Sequence, residues 1–427
     1  MQCLKALYLH KHHNHLKGER PKRQQAFFDR SNKTLTLAHQ LFPQGKSCFP
    51  LKSNLETHPL QLTEELIIAK HPVIYDATFQ FEGISTNFNI LVNKSDQWVA
   101  YEVKNSLKIN RNHLQDIALK YYVAKNNGIQ LEDIFIVHIN GHFSLKNNEL
   151  DIDKFFKITS IKTEVLELQD EIKEAINTAK NVLMQDKIPD IEVDTHCFRP
   201  YACDFLNYCW KGKEKSALLS LSGVGLEEKI KWLKNNILEH KDIPQDTILS
   251  QRARTQIISH TEQRVFINEE QFTQFMEKLQ YPLYFFDIEA FQPAIPIYNN
   301  NSPYQSIPFL FSLHYVSRPD DTPQLKQYIT PPEKDGREDF LKSFINATEG
   351  AGQILVFNAH LEKGALYDLG KRYPQYIVEI KDRIRRIVDI EVIFKQNWFY
   401  HYKMNGSYSL KGILPALVDD ISYQELN

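Results

Sequence analysis

No stretch of the 427-residue chain reaches the roughly 18 consecutive apolar residues that a membrane helix needs, so a helical membrane protein is excluded at the outset. The opening MQCLKALYLHKHHNH is too short and too wet in its apolar part for a secretory signal, and the expected location is the cytoplasm. A basic excess is missing too. With 51 Lys and Arg against 53 Asp and Glu, the net charge of −2 excludes a passive nucleic-acid coat. Cysteine is sparse: five residues, an odd number at uneven spacing, rule out a secreted disulfide framework. Internal repeats and low-complexity tracts are absent.

What is present is ordinary globular composition, 42% hydrophobic and 24% charged, in a chain long enough for two to four domains. Charge is uneven: residues 1–50 hold nine Lys and Arg against two acids, which either attracts a phosphate backbone or forms a solvated helical face. Residues 1–45 read as helical up to the Pro and Gly of FPQGK. Three β-rich runs follow, PVIYDATFQF, STNFNILVN and QWVAYEVKNSL, and predict an antiparallel meander. A helix over 112–127, a returning strand over 131–140 and one long amphipathic helix over 160–187 complete an α/β pattern. Residues 213–275 read as a small helical linker; its Gly223-Val224-Gly225 turn is similar to a DNA-phosphate-holding helix-hairpin-helix turn, although a plain linker fits as well. A second α/β pattern starts at Tyr281, with strands at 281–291, 309–316 and 353–358 and a helix around 336–349.

Several side-chain groups carry chemistry. Glu102 and Lys104 lie two apart on a strand and so share a face, where a carboxylate can hold Mg²⁺ or Mn²⁺ and a lysine can orient water. Cys197, Cys203 and Cys209 recur every six residues; with the remote Cys3 they can converge on an iron–sulfur cluster or a tetrahedral zinc, while Cys48 reads as a buried free thiol. Asp287 and Glu289 also share a strand face, and among Tyr284, Phe285, Phe286 and Phe291 they read as buried carboxylates that need a cation. Asn358 and Glu362, four apart at a strand-to-helix turn, can face one cleft. The histidines at 10, 12, 13 and 15 suggest a polar, phosphate-facing helix, and the basic run Lys381, Arg383, Arg385, Arg386 either lines a nucleic-acid groove or is solvated.

Residues 1–212, by the opening CLKALYLHKH, the EVK strand, the helix HLQDIALKYYV and the closing C-x₅-C-x₅-CW, resemble the iron–sulfur branch of the PD-(D/E)XK nucleases, which includes RecB-like and CRISPR-associated exonucleases. The resemblance implies a 4Fe–4S cluster held by Cys3, Cys197, Cys203 and Cys209, and a Mg²⁺ or Mn²⁺ centre using Glu102 and Lys104. Asn89 stands where that family has a metal-binding aspartate, Lys120 where it has a Gln–Tyr motif, and Asp76 where a glutamate is usual. Residues 276–427, by Asp287-Ile-Glu289, FNAHLEKGAL, VDIEVIF and GSYSLKGILPALV, resemble the DEDD exonucleases of the RNase H-like fold. That implies metal binding by Asp287, Glu289 and Glu362. The family's last acid is not found before Asn427, with Asp389, Asp419 or Asp420 as substitutes, so the expectation is a chain that continues or a degenerate domain. Together these resemblances imply a two-domain α/β nuclease acting on single-stranded ends of DNA, or RNA, in repair or defence. The alternative is a non-catalytic nucleic-acid-binding scaffold.

Overall fold

The computed structural model describes residues 2–18, 31–49, 58–199, 201–211 and 216–423. It is a mixed α/β structure built on two main sheets. Among the described residues no helix is long and apolar enough to cross a membrane. The basic positions Arg20, Lys22, Arg23 and Arg30 lie outside the described residues.

Helix α1 (Leu4–His12) and residues 31–38, also helical, precede the first sheet. The sheet runs in the order β1 (Lys46–Ser47), β2 (Val73–Phe81), β3 (Ile84–Lys94), β4 (Gln97–Lys104), β5 (Leu131–Ile139) and β6 (Phe156–Ser160). The expected meander is present, since β2, β3 and β4 pair antiparallel. Between β4 and β5 runs α3 (Arg111–Asn126), after α2 (Pro59–Ile68) earlier in the chain; this crossover makes β4 and β5 parallel. Helices α2 and α3 cover one face of the sheet through Ile74, Phe88, Leu91 and Ile136. The alternate residues Tyr75, Ile90, Tyr101 and Val137 fill the other face.

The single helix expected over 160–187 is two helices, α4 (Lys162–Glu167) and α5 (Gln169–Leu183). Ser160 belongs to β6, and the Gln169 side-chain amide donates to the Val165 carbonyl at 2.8 Å, diverting the acceptor its own backbone N–H would have used. Residues 216–275 hold α6 (Leu226–Lys234), α7 (Gln251–Glu262) and β7 (Phe266–Ile267). Their apolar side chains share a cluster with the cysteine loop, in which Val193, Cys197 and Trp210 pack with Leu218, Trp232 and Ala253.

The second sheet has the order β10 (Gln324–Ile329), β9 (Ile307–Val316), β8 (Leu283–Phe291), β11 (Gln353–Val356), β12 (Ile387–Asp389). Hairpin pairing of β8, β9 and β10 is antiparallel, whereas β11 and β12 run parallel to β8. Helices α8 (Arg337–Ala347), α9 (Ala359–Arg372) and α10 (Ile377–Arg386) cover one face through Phe340, Phe344, Leu366 and Ile380 on Tyr284, Phe286 and Phe311. Strand β10 had no counterpart in the sequence reading: all but Tyr328 of its six residues are exposed, so it lacks the apolar alternation of a half-buried strand.

One glycine sets the spacing of β8 and β11. Gly352 has φ +106°, and a Cβ there would lie 2.1 Å from the Pro282 carbonyl oxygen. Gly352→Ala is expected to cost about 2 kcal/mol or more, because it adds both left-handed strain and a backbone clash. A lowered urea midpoint at unchanged m-value is the measurement that checks this.

Candidate functional site

The C-terminal sheet changes winding direction between β8 and β11: the chain leaves β8 toward β9 and β10, then returns to the opposite side for β11 and β12. A crevice opens at the carboxyl ends of parallel strands at such a point. Strand β11 pairs with β8 only from Leu283 to Phe285, so Asp287 projects just beyond the end of that ladder. Asp287 and Glu289 lie on the outward face with Phe285 and Phe291, while Tyr284 and Phe286 point into the helix-covered core. This corrects the reading of the two acids as buried: strand alternation puts half of the aromatics outside with them, and Phe285 is 43% exposed. Partial enclosure still holds the Asp287 carboxyl above its ordinary range.

Glu362 is the buried member of the group. It sits in the first turn of α9, directly after β11, 4% exposed, and its Oε2 has no hydrogen-bond partner. Burial, and then the negative charges of Asp287, Asp389 and Glu391, push its pKa from 4.5 up to about 7. Asp389 ends β12, next to Val356 in the ladder, and caps α9: its Oδ1 accepts from Asn358 N at 3.1 Å and Glu391 N at 2.9 Å, its Oδ2 from Ala359 N at 3.1 Å. Asn358 is the N-cap of α9, in the left-handed region at φ +75°, and its backbone N–H is held by Asp389. Of the acids expected as substitutes, Asp389 is here but engaged with backbone. Asp419, its side chain 88% exposed, pairs with Lys403 at 3.0 Å, and Asp420 is exposed, so neither is drawn in as a ligand.

Glu391 was missed. It is buried beside Glu362, with Lys395 as its ion-pair partner at 2.7 Å. The signal was in the sequence: Asp389-Ile390-Glu391 repeats the tripeptide Asp287-Ile288-Glu289; the first copy lies in the second half of β8 and the second begins at the last residue of β12, the two strands that flank β11. Among the described residues, no three His, Cys, Asp or Glu side chains stand in ligating array around one point. The donor set nevertheless suits a hard cation: all oxygen, anionic, with one buried oxygen unpartnered.

The cysteines form the second group. Cys3 begins α1, Cys197 and Cys203 are joined by a 2.8 Å backbone bond from Cys203 N to Cys197 O, and Cys209 ends a short helix. The loop is tied to α1: Gln2 Nε2 donates to the His196 and Tyr201 carbonyls at 2.7 and 2.8 Å, and Lys17 pairs with Asp204 at 2.7 Å. Burial raises the Cys197, Cys203 and Cys209 thiols, and all three lie within electrostatic reach of Cys3. The four thiols are soft donors of the kind that iron–sulfur clusters and zinc take, and they lie within electrostatic reach of one another, but among the described residues they do not stand in a ligating array. Cys48 lies apart in the core of the first sheet, accepting from Thr63 Oγ1 at 3.2 Å.

The third group surrounds Glu102, which is 2% exposed on β4. Its Oε1 accepts from Lys104 at 3.1 Å and Lys120 at 2.5 Å, and its Oε2 from the Asn89 backbone N–H at 3.3 Å. Lys104 also pairs with Asp116 at 2.7 Å. Asn89 turns its Oδ1 to the Val103 N–H at 2.9 Å. Asp76, at φ +56°, opposes Asn89 at the one unpaired position of the β2–β3 ladder and accepts from Ser47 Oγ at 3.3 Å.

Two basic features are otherwise employed. Arg383 and Arg386 donate to the carbonyls of Ile345, Thr348 and Gly352, which leaves Lys381 and Arg385 as the outward cations of that run and argues against a four-residue groove. The histidines do not form one face: His10 packs edge-on against Phe205 and His12 bonds the Leu183 carbonyl.

The raised Glu362 pKa carries a pH signature. A carboxyl whose native pKa exceeds its unfolded value binds more protons folded than unfolded, so its contribution is most favourable below about pH 4.5 and is lost as the pH rises through about 7. Glu362→Gln is therefore expected to stabilise the metal-free protein at pH 8 by up to about 3 kcal/mol, with no gain at pH 4.5. Thermal melts across that range in the presence of a chelator check it.

No curated protein matches the chain. A family model described as a domain of unknown function (DUF2779) matches residues 284–409, the stretch that carries Asp287, Glu289, Glu362, Asp389 and Glu391.

Proposed function

We propose that the chain is a metal-dependent nuclease that hydrolyses phosphodiester bonds of DNA from single-stranded ends, with its reaction centre in the cleft between β8 and β11 and its cysteine-tied N-terminal half as a binding module. The observation that carries this reading is Glu362, a buried carboxylate with an unpartnered oxygen, surrounded by Asp287, Asp389 and Glu391 at the ends of parallel strands. Like charges are kept together at a strand-end crevice chiefly to hold a cation. Magnesium or manganese held there supplies Lewis-acid polarisation of the phosphoryl oxygens.

The chain's own groups have separate tasks in this reading. Asp287 and Glu289 present carboxylates on the open side, Glu362 presents one from the buried side, and Asp389 fixes the start of α9 so that Glu362 holds its position. Because Glu362 titrates near neutrality, it exchanges a proton for a cation around pH 7, and cation affinity rises across that range. Phe285 and Phe291 flank the acids on the same open face, with Phe309 5.9 Å from Phe291, a surface on which unpaired bases can stack. Cys3, Cys197, Cys203 and Cys209 hold a 4Fe–4S cluster that ties α1 to the cysteine loop. The rival reading, a scaffold that binds without cutting, is favoured for the N-terminal half by the ion pairs that saturate Glu102.

With Mn²⁺ and end-labelled single-stranded DNA, the full chain is expected to release nucleotides, and Asp287→Ala or Glu362→Gln to lower the rate at least 100-fold. An unchanged rate in both variants overturns the C-terminal assignment. Anaerobically purified protein is expected to be brown; Cys3→Ser should lose iron and sulfide, while Cys48→Ser keeps both.

A further inference from the structure

The Glu102 centre does not fit the cation its resemblance implies. A divalent ion needs accessible anionic oxygens, and each oxygen here is already engaged. Glu102 Oε1 is held by two ammonium groups, Lys120 at 2.5 Å and Lys104 at 3.1 Å, while Oε2 receives the Asn89 N–H. The neighbouring amide is no better placed, since Asn89 Oδ1 is taken up by the Val103 N–H across the ladder. Asp116 completes the arrangement, 2.7 Å from Lys104 and 3.9 Å from Lys120, so two lysines balance two carboxylates. Asp76 keeps its own partner in Ser47.

The decisive group is Lys120. It lies on the inner side of α3, buried beneath the helix with its Nζ directed at Glu102. A lysine in such a position is stable only because it is paired. A divalent ion entering beside Glu102 would have to sit against two ammonium groups, Lys120 buried and Lys104 partly so, and the neighbouring carboxylate outside the ion pairs, Asp76, is already hydrogen-bonded to Ser47; charge repulsion rises steeply at low dielectric.

We propose that the Lys120 ammonium is the resident cation of the N-terminal centre, taking the place of a divalent metal, and that this half consequently carries out no metal-dependent cleavage. The amide at 89 and the lysine at 120 are then two parts of one change. An aspartate at 89 beside Glu102 would leave the metal without access while Lys120 stays, and a glutamine at 120 beside Asn89 would leave it one carboxylate short. The proposal does not rest on the C-terminal reading, because it concerns a different set of side chains.

The test measures Mn²⁺ binding by calorimetry in the full chain, with Asp287→Ala and Glu362→Gln present in every sample to weaken uptake at the C-terminal acids, and reads the uptake that depends on Glu102. Expected is no Mn²⁺ uptake that depends on Glu102: the background protein and its Glu102→Gln derivative give the same isotherm, and Asn89→Asp alone changes nothing. Adding Lys120→Gln together with Asn89→Asp should create a site at least tenfold tighter than any in the background, and Glu102→Gln should abolish it again. Mn²⁺ binding in the lysine-containing background that Glu102→Gln removes overturns the proposal. So does a Lys120→Gln/Asn89→Asp protein with native circular dichroism and no new site. If that double variant does not fold, the comparison of the background protein with Glu102→Gln decides alone.

Discussion

The short parallel ladder of β11 between β8 and β12 is the constraint on which the C-terminal cleft depends. Three residue pairs on each side, Gln353 to Leu355 against β8 and Ile354 to Val356 against β12, set the register of both flanking strands. That register delivers two Asp-Ile-Glu tripeptides to the same end of the sheet and starts α9 between them. A slip of one residue would send alternate side chains to opposite faces and scatter the acids. Burial of Ile354, Leu355 and Val356 on a strand of four residues makes such a slip costly. The electrostatic strain at Glu362 is therefore held in place by apolar packing a few residues away.

The two sheets are joined by more than the segment between them. The excursion from β8 to β9 reaches back to the first sheet, where Ala294 enters the core with Tyr75 and Tyr101. Asn300 and Asn301 exchange backbone bonds with Leu145, and the Tyr304 hydroxyl donates to Asn105. On the other side Arg337 and Arg372 donate to the Asn299 carbonyl.

Much of the fold was legible because local pattern and tertiary role agree. β-Branched and aromatic alternation gave the meander of β2, β3 and β4, and the six-residue cysteine spacing pointed to a loop that the structure places against Cys3. What stayed hidden depended on partners distant in sequence. The break between α4 and α5 follows from one glutamine side chain taking a backbone acceptor. Strand β10 is exposed along nearly its whole length because it lies at the edge of its sheet, so its residues are not sorted into a buried and a solvent face and the periodic signal is lost. Whether Asp287 pointed inward or outward turned on which aromatics the helices cover, and composition cannot report that. Glu391 acquires meaning only once β12 is known to lie beside β11.

Because the β8–β9 excursion fills a slot in the first sheet, the two halves are poor currency for recombination. A crossover in the segment between them, around residue 213, would hand each daughter gene an incomplete partner: one with an open socket around Tyr75 and Tyr101, the other with Ala294 and Tyr304 deprived of their seats. Exchanging either half for an unrelated one would therefore disturb both surfaces at once.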